Sequence, residues 1–140
     1  MAPGPLNGVA ALSANEAWAV GNTARGQGAA ARPARTLIER WDGVQWAQVP
    51  SPNAGPGDNV LYAVDALSSN DIWAVGGYAP PGSEQYVPMP QTPLVLHWDG
   101  IEWSVVPMPT LDGKAGLYAV EAIAPNDVWA VGSRTAAKHS

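Results

Sequence analysis

The sequence predicts an all-β chain made of repeated four-stranded antiparallel units, and three observations carry that expectation. The stretch NEAWAVG at 15–21 returns as NDIWAVG at 70–76 and as NDVWAVG at 126–132. WDGVQW at 41–46 returns as WDGIEW at 98–103. The 15 Gly and 14 Pro are scattered through 140 residues, which suits short strands and turns far better than helices.

The repeat is regular. Trp18, Trp73 and Trp129 lie 55 and 56 residues apart, and Leu6, Leu61 and Leu117 keep the same intervals. Residues 61–76 and 117–132 share 11 of 16 positions, so the chain holds a repeat of about 56 residues, present two and a half times.

Within one repeat, LYAVDAL (61–67) and DIWAVGGY (71–78) are strand-like runs separated by the turn letters SSN. PLVLHW (93–98) and IEWSVVP (101–107) flank Asp99-Gly100, a pair that favours a tight primed hairpin turn with positive φ. In the second run Ile72 and Ala74 fall on one face and Trp73 and Val75 on the other. Such a strand expects cover on both sides of its sheet.

A four-stranded antiparallel unit of this size, covered on both faces by its own copies, is a β-propeller blade. The chain then divides into blade one (6–50), blade two (61–107), a half blade of two strands (117–134) and a tail (135–140), together one partial propeller. The repeated letters are expected to build and pack these blades: Trp18, Trp41, Trp46, Trp73, Trp98, Trp103 and Trp129, with Asp42, Gly43, Asp99 and Gly100 in the hairpins. Gly21, Gly76 and Gly132 mark a bend or a close backbone approach. Asn15, Asn70 and Asn126 suit a turn position with left-handed φ. The acids that follow, Glu16, Asp71 and Asp127, are expected to accept hydrogen bonds from turn amides.

RWDGVQW and HWDGIEW resemble the Asp-box of bacterial neuraminidase repeats, S-x-D-x-G-x-T-W, with Arg40 or His97 at the box serine and Gln45 or Glu102 at its threonine. The order LYAVDAL, DIWAVG, WDGIEW is also similar to the blades of photosystem II assembly factor propellers. The resemblance spans essentially the whole chain. It implies architecture, because in those families the Asp-box marks the fold and not the active site.

Several function classes are disfavoured. A net charge of -5 supplies no basic stripe for nucleic acid. The absence of Cys excludes disulfides and thiolate metal sites. No apolar run approaches the roughly 20 residues of a membrane-spanning helix. His97 and His139, the two imidazoles, lack metal-ligand spacing and any Ser/His/Asp setting. No metal, no cofactor and no catalytic residue is therefore expected, and an enzyme is not. Asp65 and Glu121 hold equivalent first-strand positions, where an acidic ring lining a channel would attract a cation; solvated channel residues are the plainer reading.

Function is expected where the repeats differ, in the loops 22–36 and 77–93. Tyr78, Tyr86, Arg32 and Arg35 are the candidate contacts there, to a glycan or a protein. Because propellers close with at least four blades, the partner expected first is the chain itself, in a homodimeric ring or an open filament. The expected role is a non-catalytic, self-assembling structural or binding scaffold. The alternatives are a lectin-like carbohydrate-binding module and a piece of a larger, glycosidase-like propeller cut at 140.

Overall fold

The computed structural model of the chain describes residues 4–23, 33–79, 92–107 and 114–135. Among the described residues ten strands form three antiparallel sheets, none closed on itself, and no helix occurs. The first sheet runs in the order β1 (Leu6–Ser13), β2 (Glu16–Asn22), β3 (Thr36–Trp41), β4 (Trp46–Val49). The second repeats it with β5 (Asn59–Ser68), β6 (Asp71–Tyr78), β7 (Thr92–Trp98) and β8 (Trp103–Val105). The third holds β9 (Lys114–Ala124) and β10 (Asp127–Thr135).

The recurring glycines sit at a repeated irregularity. The register between the first two strands slips beside Gly21, Gly76 and Gly132, leaving Asn7, Tyr62 and Tyr118 as the extra residues of a β-bulge. A Cβ on any of these glycines would fall on the carbonyl oxygen of Pro5, Val60 or Gly116, so no side chain fits there.

The Asp-Gly hairpins differ from the two-residue primed turn expected. Trp41 pairs with Trp46 and Trp98 with Trp103, which leaves four-residue loops at 42–45 and 99–102. Only the glycines take positive φ, 98° at Gly43 and 100° at Gly100. The aspartate side chains close the loops instead. Asp42 Oδ1 accepts the amides of Val44 (2.8 Å) and Gln45 (2.9 Å), and Asp99 Oδ1 those of Ile101 (2.8 Å) and Glu102 (2.9 Å). Those backbone bonds, from Gln45 and Glu102 first, hold both carboxyls below their ordinary range. The wider loop also shortens the last strand, which starts at Trp103 and not at Ile101.

The repeated asparagines are not left-handed, since no described residue other than Gly has positive φ. Their side chains cover the hairpin glycines: a Cβ on Gly43 would lie 2.9 Å from Asn15 Oδ1, and one on Gly100 2.7 Å from Asn70 Oδ1. In sheets one and two the first turn, through Asn15 or Asn70, is thereby seated on the Asp-Gly loop of its own sheet.

The sheets stack in chain order. We call the side bearing Trp18, Trp73 and Trp129 the front and the opposite side the back. The front of sheet one packs on the back of sheet two, where Trp18, Val20 and Ile38 meet Leu61, Ile72, Leu96, Trp98 and Trp103 in one buried cluster. The first strands run side by side. Gly8 lies so near β5 that a Cβ on it would stand 3.0 Å from Ala63 Cα, and Asn7 Nδ2 donates to the Leu61 carbonyl at 2.8 Å. Tyr62 and Tyr118 pack with their rings tilted at 48° and 4.9 Å between centroids, and burial, then the Tyr118 neighbour, push the Tyr62 hydroxyl up from its ordinary value.

Candidate assembly faces

A single side-chain unit recurs on the front of each sheet. The acid that opens the second strand sits two residues before the Trp, so strand alternation places both on one face. Its carboxylate takes the indole N–H: Trp18 Nε1 to Glu16 Oε2 at 3.2 Å, Trp73 Nε1 to Asp71 Oδ1 at 3.1 Å, Trp129 Nε1 to Asp127 Oδ1 at 2.9 Å. The acids therefore serve the indoles, whereas turn amides were the expected donors. Strand pairing supplies the third member, because Trp18 stands opposite Arg40 and Trp73 opposite His97. Arg40 Nη2 reaches Glu16 Oε2 at 3.0 Å, and its guanidinium lies 5.0 Å from the Trp18 ring centroid. His97 Nε2 lies 2.8 Å from Asp71 Oδ1, with its ring 4.4 Å from Trp73.

Glu16 is the most heavily used of these acids. Its Oε1 also accepts the Ser69 hydroxyl from the β5–β6 turn at 2.5 Å, tying sheet one to sheet two. Partial burial pushes the carboxyl up; the bonds from Ser69 and Trp18 and the charge of Arg40 outweigh that and hold it below its ordinary range.

The packing rule between sheets is explicit at the first junction. Trp18 from one front lies against Trp98 (5.0 Å) and Trp103 (5.7 Å) from the next back. The same letters recur at the two outer surfaces without cover. On the back of sheet one, Val9 is 66% exposed and Trp46 44%, where their counterparts Val64 and Trp103 are 8% and 5%. Trp41 and Trp46 stay in tilted contact with each other, 5.7 Å between ring centroids. On the front of sheet three Trp129 is 63% exposed, where Trp18 is fully buried; Val131 is exposed as well.

The second junction is incomplete. Sheet three has no third or fourth strand among the described residues, so no described residue stands where Trp98 and Trp103 stand at the first junction. A recess of about 430 Å³ opens there, between Trp73, Val75, Val95 and Val106 on one side and Val128 and Ala130 on the other.

The expected loop contacts fare differently. Arg35 is engaged internally, donating from Nη1 to the carbonyls of Gly57 (2.9 Å) and Gly55 (3.2 Å). Tyr78 is half-buried against the core at the end of β6. Arg32, Tyr86 and His139 lie outside the described residues. Asp65 accepts the Ala122 amide of β9 at 2.7 Å through Oδ2 and the Ala66 amide at 3.0 Å through Oδ1, which makes it a tie between sheets. Among the described residues no three His, Cys, Asp or Glu side chains gather as a metal would require.

The pairing of Arg40 with Glu16 and of His97 with Asp71 was not read from the sequence. Its signal was present: an acid two before Trp18, Trp73 and Trp129, and a base immediately before each W-D-G. What joins them is strand pairing across 24 or 26 residues. Comparison with known proteins finds no family model, no curated protein and no solved structure that matches the chain.

Proposed function

We propose that this chain is a non-catalytic scaffold of β-propeller-type repeats that associates end to end with copies of itself. One observation carries the reading. The junction between sheets one and two is made by a front Trp inserted against a back pair of Trp, and the chain presents an unfilled copy of each half at its opposite surfaces. Trp129 and Val131 form the free front; Leu6, Val9 and Trp46 form the free back. A front meeting a back is a heterologous contact, so it propagates into a ring if the rotation closes and a filament if it does not. Exposed apolar patches of this kind mark interaction surfaces.

The non-catalytic part of the reading rests on how the repeated acids are spent. Glu16, Asp71 and Asp127 hold indoles, Asp42 and Asp99 close loops, and Asp65 ties two sheets. The likeness to Asp-box repeats supports the architecture.

Light scattering at micromolar concentration tests the proposal. The wild-type chain is expected to run as a species of at least two copies, and Trp46→Ala and Trp129→Ala are each expected to return it to one. A well-folded wild-type monomer would refute self-assembly.

A further inference from the structure

We infer that Tyr62 and Tyr118 form an oxidative cross-linking site, at which a peroxidase-type one-electron oxidant joins sheets two and three through a dityrosine bond. The site is a contact within the chain and is independent of association between copies.

The repeat brings the pair together. Tyr62 and Tyr118 lie 56 residues apart and hold the same place in their repeats. Each is the extra residue of a β-bulge, beside Gly76 or Gly132, and has no partner across the ladder. A bulge re-aims the side chain of its extra residue. Here the two rings meet across the boundary between sheets, with centroids 4.9 Å apart and planes at 48°. A biaryl bond between their ortho carbons would draw the centroids only slightly closer and would keep the rings out of one plane, as they stand. Coupling therefore asks for a side-chain adjustment and no movement of strands. The encounter is also held in place, because Asp65 Oδ2 accepts the Ala122 amide at 2.7 Å only a few residues along the same two strands.

The first repeat makes the contrast. At this place it carries Asn7, and its tie to the next sheet is a hydrogen bond from Nδ2 to the Leu61 carbonyl at 2.8 Å. Between sheets two and three the residues at this place meet through their rings. Tyr62 is half-buried and Tyr118 is 37% exposed, so a small oxidant reaches the pair. Burial, then the Tyr118 neighbour, holds the Tyr62 hydroxyl above its ordinary value. The phenol is thus protonated at neutral pH, and its proton leaves with the electron. The chain has no Cys to take the oxidising equivalents first.

The chemistry balances with hydrogen peroxide as the terminal oxidant. Each phenol gives up one electron and one proton to become a phenoxyl radical. The two radicals join through one ortho carbon each, forming a C–C bond. The hydrogens on those carbons move to the oxygens and restore both phenols. Hydrogen peroxide takes up the two electrons and two protons and leaves as two waters. The product is the same chain less two hydrogen atoms.

The experiment treats the full chain with a haem peroxidase and one equivalent of hydrogen peroxide. The blue emission of dityrosine should appear, with a chain mass lower by two hydrogens and a single-chain band on a denaturing gel. Peptide mapping should join residue 62 to residue 118, and the yield per chain should not change on dilution. Tyr62→Phe and Tyr118→Phe, which keep the packed rings, should each lower the yield at least tenfold, whereas Tyr78→Phe should leave it unchanged. A link closing a loop of 56 residues should raise the thermal midpoint by about 10 °C. Equal yield in Tyr118→Phe, cross-links only between chains, oxygen added to tryptophan with no cross-link, or an unchanged thermal midpoint in the linked chain would each overturn the proposal.

Discussion

Replacing Trp18 by alanine tests the packing rule on which the fold is built. Trp18 is fully buried, with Trp98 and Trp103 on one side and Arg40 beside it. Burial of a Trp covers about 150–250 Å², an upper bound of roughly 4–6 kcal/mol at 25 cal/mol per Å². Large aromatics deleted from cores cost about 3–5 kcal/mol in practice, once the cavity and partial relaxation are included. We therefore expect a loss of about 3–5 kcal/mol, which is a large share of the 5–15 kcal/mol typical of a domain. Urea unfolding followed by far-UV circular dichroism at low protein concentration measures it, with an unchanged slope required for the comparison. Trp129→Ala is the internal reference. It has the same sequence position and the same acid bond, yet it stands in solvent, so its cost should stay within about 0.5 kcal/mol. A Trp18→Ala cost below about 1 kcal/mol, or one equal to that of Trp129→Ala, would refute the claim that the junction between sheets one and two is the core.

The Glu16 network makes stability depend on acid. The folded-state pKa of Glu16 is depressed, so its contribution is complete above the ordinary glutamate range of about 4.3 and disappears as pH falls through the lower folded value. Thermal melts from pH 7 to pH 3 should show the wild type losing more stability in that window than Glu16→Gln, with the variant the less stable at pH 7; parallel curves would show the carboxylate to be idle. Gly76→Ala should destabilise by about 1–3 kcal/mol, the range for overpacking, because the added methyl falls on the Val60 carbonyl. A neutral result in urea melts would mean that the bulge relaxes freely. Gly100→Ala, at a φ of 100°, should cost about 1–2 kcal/mol for backbone reasons alone, and a stabilised variant would contradict the loop geometry.

Much of the architecture is written in local pattern. The repeat interval, the alternation in DIWAVGGY and the glycines beside each second strand are set by neighbours in sequence, and they translate directly into strands, sheets and bulges. The Asp-Gly loops were legible as hairpins but not in their length, because that depends on whether the aspartate side chain caps two amides of its own loop. Arg35 shows the same limit. Its place in a loop suggested a ligand contact, and only the folded path of residues 55–57 reveals two carbonyls within its reach.

What the sequence by itself determined is the unit: which residues form strands, which face each side chain takes, and that the unit is used two and a half times. Tertiary structure alone decided which copies of a repeated residue are buried. Trp18, Trp73 and Trp129 share one local pattern and one carboxylate bond, yet the first is sealed in a core, the second lines a recess and the third faces solvent. The physical reason is that burial belongs to the neighbouring sheet. A strand encodes the face it offers; whether Trp side chains from another sheet arrive to cover that face depends on stacking between segments some 80 residues apart, as Trp18 and Trp98 are.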